Sequence, residues 1–220
     1  VLGVKNLSIA EIQKHFSYPV YVEYGANAAG FGTVWRSKEL KDAVYVIVTN
    51  NGVAGSIILN NEIYHGRTGR AGAFGHITLN PSGRKCFCGA CGCWSAYNAL
   101  NALTGLDETD LDGFFEKVNN EDPDAIAKWD EYLTYFADGL STVSMSFDID
   151  IVIGGPLAVY LEPWLDTIIS KMQSRPTLNG ENISIHLDTK SESPMAEGVA
   201  LMIVAKFLND ELDNFRFDEL

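Results

Sequence analysis

The chain has 220 residues, 46% hydrophobic, 20% charged and 11% aromatic; this composition excludes a disordered chain and can bury roughly 70% of its unfolded surface without a staple. Its 16 Lys and Arg against 29 Asp and Glu give a net charge of −13, which argues against nucleic-acid binding by this chain alone, because that affinity comes mainly from cations neutralising phosphates. No apolar run approaches the ~20 residues of a transmembrane helix, no signal peptide is evident at the first residue, and a membrane partner is not expected.

After Val1–Lys5, Ser8 reads as the cap of a short helix over Ile9–Phe16. Pro19 introduces Tyr21-Val22-Glu23 as a short strand, and the Ala/Gly-rich run Asn27–Trp35 as a helix suited to close packing. Ala43–Thr49 is almost wholly apolar, the pattern of a strand buried on both faces. Ser56–Leu59 and Glu62–Tyr64 flank Asn60-Asn61, a tight hairpin signal. Beyond the cysteines, helices are expected over Ser95–Leu103, over Asp110–Val118 and from Pro123 onward. In the last of these, Ile126, Trp129, Leu133, Phe136, Leu140 and Val143 form one stripe at steps of three and four. Ile149–Ile153 reads as a central strand ending at Gly154-Gly155. A helix around Tyr160–Met172, a strand at Ile183–His186 and a helix at Pro194–Leu208 follow. The tail 209–220, with five acidic residues and one Arg, is expected to be a mobile, solvated end. This alternation predicts an α/β sheet with helices on its faces. Ligands bind beyond the carboxyl ends of strands in such sheets, so Gly52–Gly55 and Gly154-Gly155 are candidate ligand loops.

All four cysteines, Cys86, Cys88, Cys91 and Cys93, fall within eight residues. A disulfide framework would spread them to cross-link distant segments, so the cluster reads as metal ligation in a reducing compartment, the cytoplasm by expectation. His76 lies ten residues before Cys86, and a turn through Pro81-Ser82-Gly83 can return it to the thiols. Structural zinc takes four nitrogen or sulfur ligands in a tetrahedron, and here five candidates compete for four places. His15, His65 and His186 have no partner at ligand spacing and read as surface or satisfied core residues.

The run Gly72-Ala73-Phe74-Gly75-His76, continued by Cys86-x-Cys88-Gly89-x-x-Gly92-Cys93, resembles the signature of the ROK family, which comprises sugar kinases and sugar-responsive repressors. Val22-Glu23-x-x-Ala26-Asn27-Ala28-Ala29, the Gly52 loop, Ile153-Gly154-Gly155 and Gly198 extend the resemblance over nearly the whole chain. It implies His76, Cys86, Cys88 and Cys93 as zinc ligands, with Cys91 as an extra thiol. The implied fold is the α/β actin-like ATPase, or sugar-kinase (ribonuclease H-like), fold with its first lobe largely missing. Residues 1–208 would be the carboxy-terminal, effector-binding, zinc-containing and oligomerising part of the module.

The departures from the family pattern carry the functional expectation. The family's kinases read Glu-Asn-Asp-Ala-Asn, with the Asp as general base, where this chain has Glu23-Tyr24-Gly25-Ala26-Asn27. A sugar-binding Glu is replaced by Ala73, a second by Ser95, and the glycine-rich phosphate loop by Asn50–Ser56. Proton removal needs a positioned base, so the resemblance implies a non-enzymatic regulator binding a sugar or sugar-phosphate effector, with Asn27, Gly52, Ala73, His76 and Ser95 near it. A homodimer or higher homo-oligomer is expected, with DNA contacted only through an upstream segment. The alternatives are a ROK sugar kinase, glucokinase- or fructokinase-like, with a rearranged site, and a non-sugar-binding assembly protein.

Overall fold

In the computed structural model, residues 8–105, 110–180 and 182–214 are described, with side chains as far as Leu208. Helix α1 (Ile9–Gln13) begins where Ser8 Oγ accepts the Ala10 amide and ends three residues before the expected Phe16. No strand forms at Tyr21–Glu23. Its approach is tied by Gln13, whose amide donates to the Tyr18 carbonyl and whose Oε1 accepts the Val20 N–H. The Gln13 side chain thus holds the residues leading into the segment, which itself joins no ladder.

Helix α2 (Gly25–Arg36) leads to β1 (Ala43–Thr49), and β2 (Gly52–Leu59) turns back beside it. Gly52–Gly55 is thus ladder rather than the expected loop: Gly52 pairs with Thr49 and Gly55 with Val46. The sharp reversal falls at Asn50-Asn51. Asn60 and Asn61, at φ 54° and 63°, make the expected hairpin into β3 (Glu62–Ile63), a left-handed pair that Asn tolerates well.

The helix expected at Ser95–Leu103 is two short turns, α3 (Ser95–Asn98) and α4 (Asn101–Thr104). At the break, the Leu100 and Asn101 amides leave the helix and donate to the Thr49 and Asn50 carbonyls of the β1–β2 turn. Helix α5 (Leu111–Asn119) is capped by Asp110. Helix α6 (Pro123–Phe147) has Asp122 as N-cap, Pro123 in its first turn and Asp148 in the left-handed region at its end. Of its expected stripe, all but the exposed Ile126 are buried.

β4 (Asp150–Gly154) follows. The helix expected at Tyr160–Met172 is interrupted around Pro163, giving α7 (Ala158–Leu161), a 3₁₀ turn at Glu162–Trp164 and α8 (Leu165–Gln173). β5 (Ile185–Leu187) and α9 (Pro194–Asn214) complete the described chain. Helix α9 therefore runs six residues past Leu208 into the expected tail; residues 1–7 and 215–220, including the remainder of that tail, lie outside the described residues.

The sheet has the order β3-β2-β1-β4-β5, antiparallel through β2 and parallel from β1 to β5. β1 lies at its centre, and successive side chains of a strand point to opposite faces. Ala43, Tyr45 and Ile47 meet Ala26, Ala29 and Val34 of α2, while Val44, Val46 and Val48 join Phe136, Leu140 and Val143 of α6. Each such aliphatic side chain contributes about 1.5–3 kcal/mol by burial. Helices α2 and α9 cross at small residues: a Cβ on Gly198 would lie 1.8 Å from the Ala28 carbonyl oxygen. Among the described residues, no helix is long and apolar enough to cross a membrane.

Candidate metal centre and adjoining pocket

The cysteine loop is stitched to itself before any ligand is considered. Thr78 bridges Cys93 and Lys85 bridges Cys91 in short antiparallel pairs, and the Leu79 amide donates to the Gly92 carbonyl at 2.8 Å. Gly92, at φ 77°, is a required glycine, because a Cβ there would lie 1.7 Å from the Asn80 carbonyl oxygen. The Cys86 amide donates to the Ala90 carbonyl, and the Gly89 amide returns to the Cys86 carbonyl, so Cys86-Phe87-Cys88-Gly89 is a tight turn. Trp94, fully buried against Phe136, anchors the loop to α6. Arg84 reinforces that attachment with two 2.9 Å bonds to the Glu131 carboxylate, and its amide donates to the Tyr97 hydroxyl.

This scaffold gathers one atom each from His76, Cys86, Cys88 and Cys93 within 4.8 Å of one another. Cys88 and Cys93 sulfurs are 3.6 Å apart, and His76 Nδ1 lies 3.8 Å from Cys86 Sγ. Sulfur ligands at about 2.3 Å from a tetrahedral ion are about 3.8 Å apart, so the four residues fit a metal ion of that type. Cys91 is outside the cluster. As thiols the cluster is unevenly tuned: burial, then the Cys88 and Cys86 thiols, pushes Cys93 up to about 12, whereas the Ala90 amide leads the contacts that lower Cys88. A bound cation would hold these sulfurs as thiolates.

Beside the cluster lies a pocket of about 340 Å³. Of the residues expected near an effector, Gly52, Ala73 and His76 line it; Asn27 and Ser95 do not. Ser95 is 3% exposed, and its Oγ accepts the Val53 amide at 3.0 Å, so it fastens β2 instead of facing the pocket. Asn27 is buried and donates to Glu23 Oε1 at 2.8 Å. Glu23 in turn accepts the Tyr24 amide, and its Oε2 meets His65 Nε2 at 2.8 Å. His65, unassigned by spacing, thus finds a carboxylate. Burial works to raise the Glu23 carboxyl, but the bonds from His65, Asn27 and the Tyr24 amide outweigh it and hold it below its ordinary range.

Gly25 opens α2. A Cβ there would lie 2.7 Å from Sδ of Met195 on α9, a partly exposed and flexible side chain that could shift aside. A second cavity, about 980 Å³, lies beyond the carboxyl ends of β1, β4 and β5 and includes Gly155 (φ 86°) and Asp188. Sequence reasoning missed Asp188. Its buried carboxylate accepts from Thr33 at 2.6 Å and Tyr45 at 3.2 Å and pairs with Arg36 at 3.4 Å; Arg36 also contacts Glu197. This hub ties α2, β1, α9 and the chain after β5. Burial, and next the Asp188 charge, keep the Tyr45 phenol far above its ordinary range. Tyr45, a phenol inside the apolar run of β1, is the sequence signal that could have found it.

An antiparallel hairpin joined to parallel strands, helices on both faces and a thiol–imidazole loop beside the pocket define an α/β lobe of the actin-like ATPase fold found in sugar kinases and their regulator relatives. The ROK family glucokinase from Streptomyces griseus, solved with glucose and AMPPNP, superposes with a TM-score of 0.76 at 25% identity, covering 88% of this chain and 70% of that one. A ROK family profile matches residues 3–199, and the chain belongs to the ROK family. The xylose repressor of Bacillus subtilis is 33% identical over 81 residues, 36% of this chain and 21% of the repressor. An N-acetylmannosamine kinase of Haemophilus influenzae is 29% identical over 177 residues, 77% of this chain and 58% of the kinase. The chain therefore spans only part of the relatives it matches.

Proposed function

We propose that this chain is the effector-binding and oligomerising part of a cytoplasmic, sugar-responsive ROK transcriptional regulator that holds one structural zinc ion and does not transfer phosphate. One observation carries the reading: Gly25 stands where the resemblance places the kinases' base, so α2 begins without a side chain that could take a proton. Glu23 is a poor substitute, since both of its oxygens are engaged by His65, Asn27 and the Tyr24 amide. A general base must reach the hydroxyl proton it removes, and among the described residues no carboxylate lines this pocket. The resemblance to a xylose repressor supports the same reading.

His76, Cys86, Cys88 and Cys93 would hold the zinc, which closes the loop and fixes the His76 ring at the pocket. A regulator needs only two conformations with different effector affinity. In this reading a sugar or sugar phosphate in the pocket shifts that balance in a homodimer or larger homo-oligomer, and DNA is met through a segment outside this chain. The N-acetylmannosamine kinase match, which covers more of the chain, favours the second reading, a ROK kinase with a rearranged site.

A coupled assay with ATP and a panel of hexoses, N-acetylmannosamine included, separates the two. The expected result is no turnover above background; turnover at about 1 s⁻¹ or faster, ordinary for a kinase, overturns the regulator reading. Calorimetric silence from every saccharide would favour the assembly protein.

A further inference from the structure

The run Pro19–Tyr24 contains no helix, turn or bend, and Val20, Tyr21 and Val22 are residue types that favour strands. Gln13 ties one edge of the run by accepting the Val20 N–H. Among the described residues, nothing partners the backbone N–H or C=O of Tyr21, Val22 or Glu23. The side chains stand in solvent as well: Tyr21 and Val22 are 54% and 62% exposed. Helix α9 lies beside them, with Lys206 over the Tyr21 ring at 4.6 Å and donating to its hydroxyl at 3.2 Å. On that helix Val199, Ile203 and Phe207 repeat every four residues and are all exposed, while α2 covers the opposite side at Gly198. A helix apolar on both sides belongs in an interior, and an unpaired strand edge is a template for another chain.

The free backbone groups specify the occupant as another extended strand, and charge specifies its source. At −13 the chain repels its own copies over most of its surface. The strip Phe16–Tyr24 holds one charge, Glu23, which is already paired with His65. Antiparallel pairing of two copies about Tyr21 is self-consistent. Backbone groups alternate between the two edges of a strand, so with Val20 turned to Gln13, those of Tyr21 and Glu23 face outward. Across a two-fold axis each Tyr21 exchanges two bonds with its counterpart, and each Glu23 N–H meets the carbonyl of the other copy's Pro19. Proline lacks an N–H but is tolerated on such an edge, and no like charges fall opposite each other. We infer that two copies of this chain associate through Pro19–Glu23 as an antiparallel ribbon, flanked by the exposed stripe of α9. This inference rests on the oligomerising role proposed above and names its surface. A stable interface hides roughly 800 Å² of each partner, more than the ribbon alone supplies, so the α9 stripe is a required part of it.

Sedimentation equilibrium of the metal-replete chain is expected to give twice the mass of one chain. Tyr21→Pro deletes an outward N–H and Phe207→Glu puts a charge on the stripe; each should weaken the dimer about tenfold or more. Val159→Glu, at an exposed apolar position on α7, should not. Circular dichroism melting reports whether each variant folds. Directly opposed residues in such a ribbon have Cα atoms about 5.5 Å apart, within reach of a disulfide. Tyr21→Cys should therefore cross-link two copies under oxidised glutathione, and Tyr64→Cys, equally exposed beside β3, should not. A dimer that either folded variant, Tyr21→Pro or Phe207→Glu, leaves intact overturns the inference, and so does a Tyr21→Cys chain that cross-links no faster than Tyr64→Cys; both results leave an oligomerising role standing. A chain that stays monomeric up to about 0.1 mM overturns that role and this inference together.

Discussion

The cysteine loop and Tyr24, the residue that caps α2, line one pocket, and of the two segments only the loop keeps the pattern of the resemblance. In the loop, four ligand atoms sit within 4.8 Å on a scaffold fastened by two bridges, Gly92 and the Arg84–Glu131 pair. In α2, the base position is a glycine under Met195, while the far end of the helix is locked by Asp188 through Thr33 and Arg36. In the regulator reading proposed above, the framework that positions a site persists without the reacting group. A phosphotransfer enzyme loses its function with that one carboxylate, whereas a binding protein keeps its fold and its pocket. Chemistry is carried by one or two atoms; architecture is spread over many contacts and survives their loss.

The strongest way to break this contrast is to remove a ligand on the side that is kept. Cys93→Ala should abolish stoichiometric zinc and lower stability by about 3 kcal/mol or more, a fall of roughly 6–12 °C in Tm. Cys91→Ser, outside the cluster, should keep one zinc per chain and change stability by less than about 1 kcal/mol. Metal analysis with thermal melting decides between them; equal metal loss in both variants would refute the assignment. Asp188→Ala should cost about 3 kcal/mol in urea unfolding, because Arg36, Thr33 and the buried Tyr45 hydroxyl lose a shared acceptor. A loss under about 1 kcal/mol would show that the hub does not anchor α2.

On the other side, Gly25→Asp should raise phosphotransfer less than about tenfold, because Ala73 and Ser95 also stand where the family pattern has carboxylates and a base alone does not position a substrate. Adding Met195→Ala to it asks whether space alone was missing. A gain of about a hundredfold or more in the single variant would mark the site as a kinase lacking only its base.

What could be read from the sequence follows the range over which each feature is built. The ligand set was legible because His76 and the three cysteines lie within eighteen residues and the local turns set their spacing. The α6 stripe was legible because burial of one face imposes a period, and β1 because burial on both faces makes an unbroken apolar run. The segment Tyr21–Glu23 misled because its residue types favour strands, whereas Gln13 satisfies the backbone leading into it and Glu23 is held by His65, forty-two residues away. Gly52–Gly55 looked like a ligand loop because the ladder to β1 has no sequence signature of its own. Ser95 was placed at the pocket by its position in a motif, and only tertiary packing shows its hydroxyl turned to Val53. Asp188 joins groups more than 140 residues apart, and no local pattern announces it.

The Glu23–His65 pair offers the finest test, since it asks whether the segment beside the lost base has become purely structural. The Glu23 carboxyl is held below 4.5 in the folded chain. A group depressed in this way binds its proton more readily when unfolded, so it adds stability above its unfolded pKa and loses that contribution as pH falls through the folded one. Glu23→Gln keeps an acceptor for Asn27 and the Tyr24 amide but removes the charge. Melting curves between about pH 3 and pH 6 should show the wild-type chain more stable than the variant at the upper end, the two converging as Glu23 protonates. Parallel curves would mean that the carboxylate charge does nothing for the fold. Because the side chain is only partly buried, the difference is expected to be the smallest of those above, and it should shrink further at high salt.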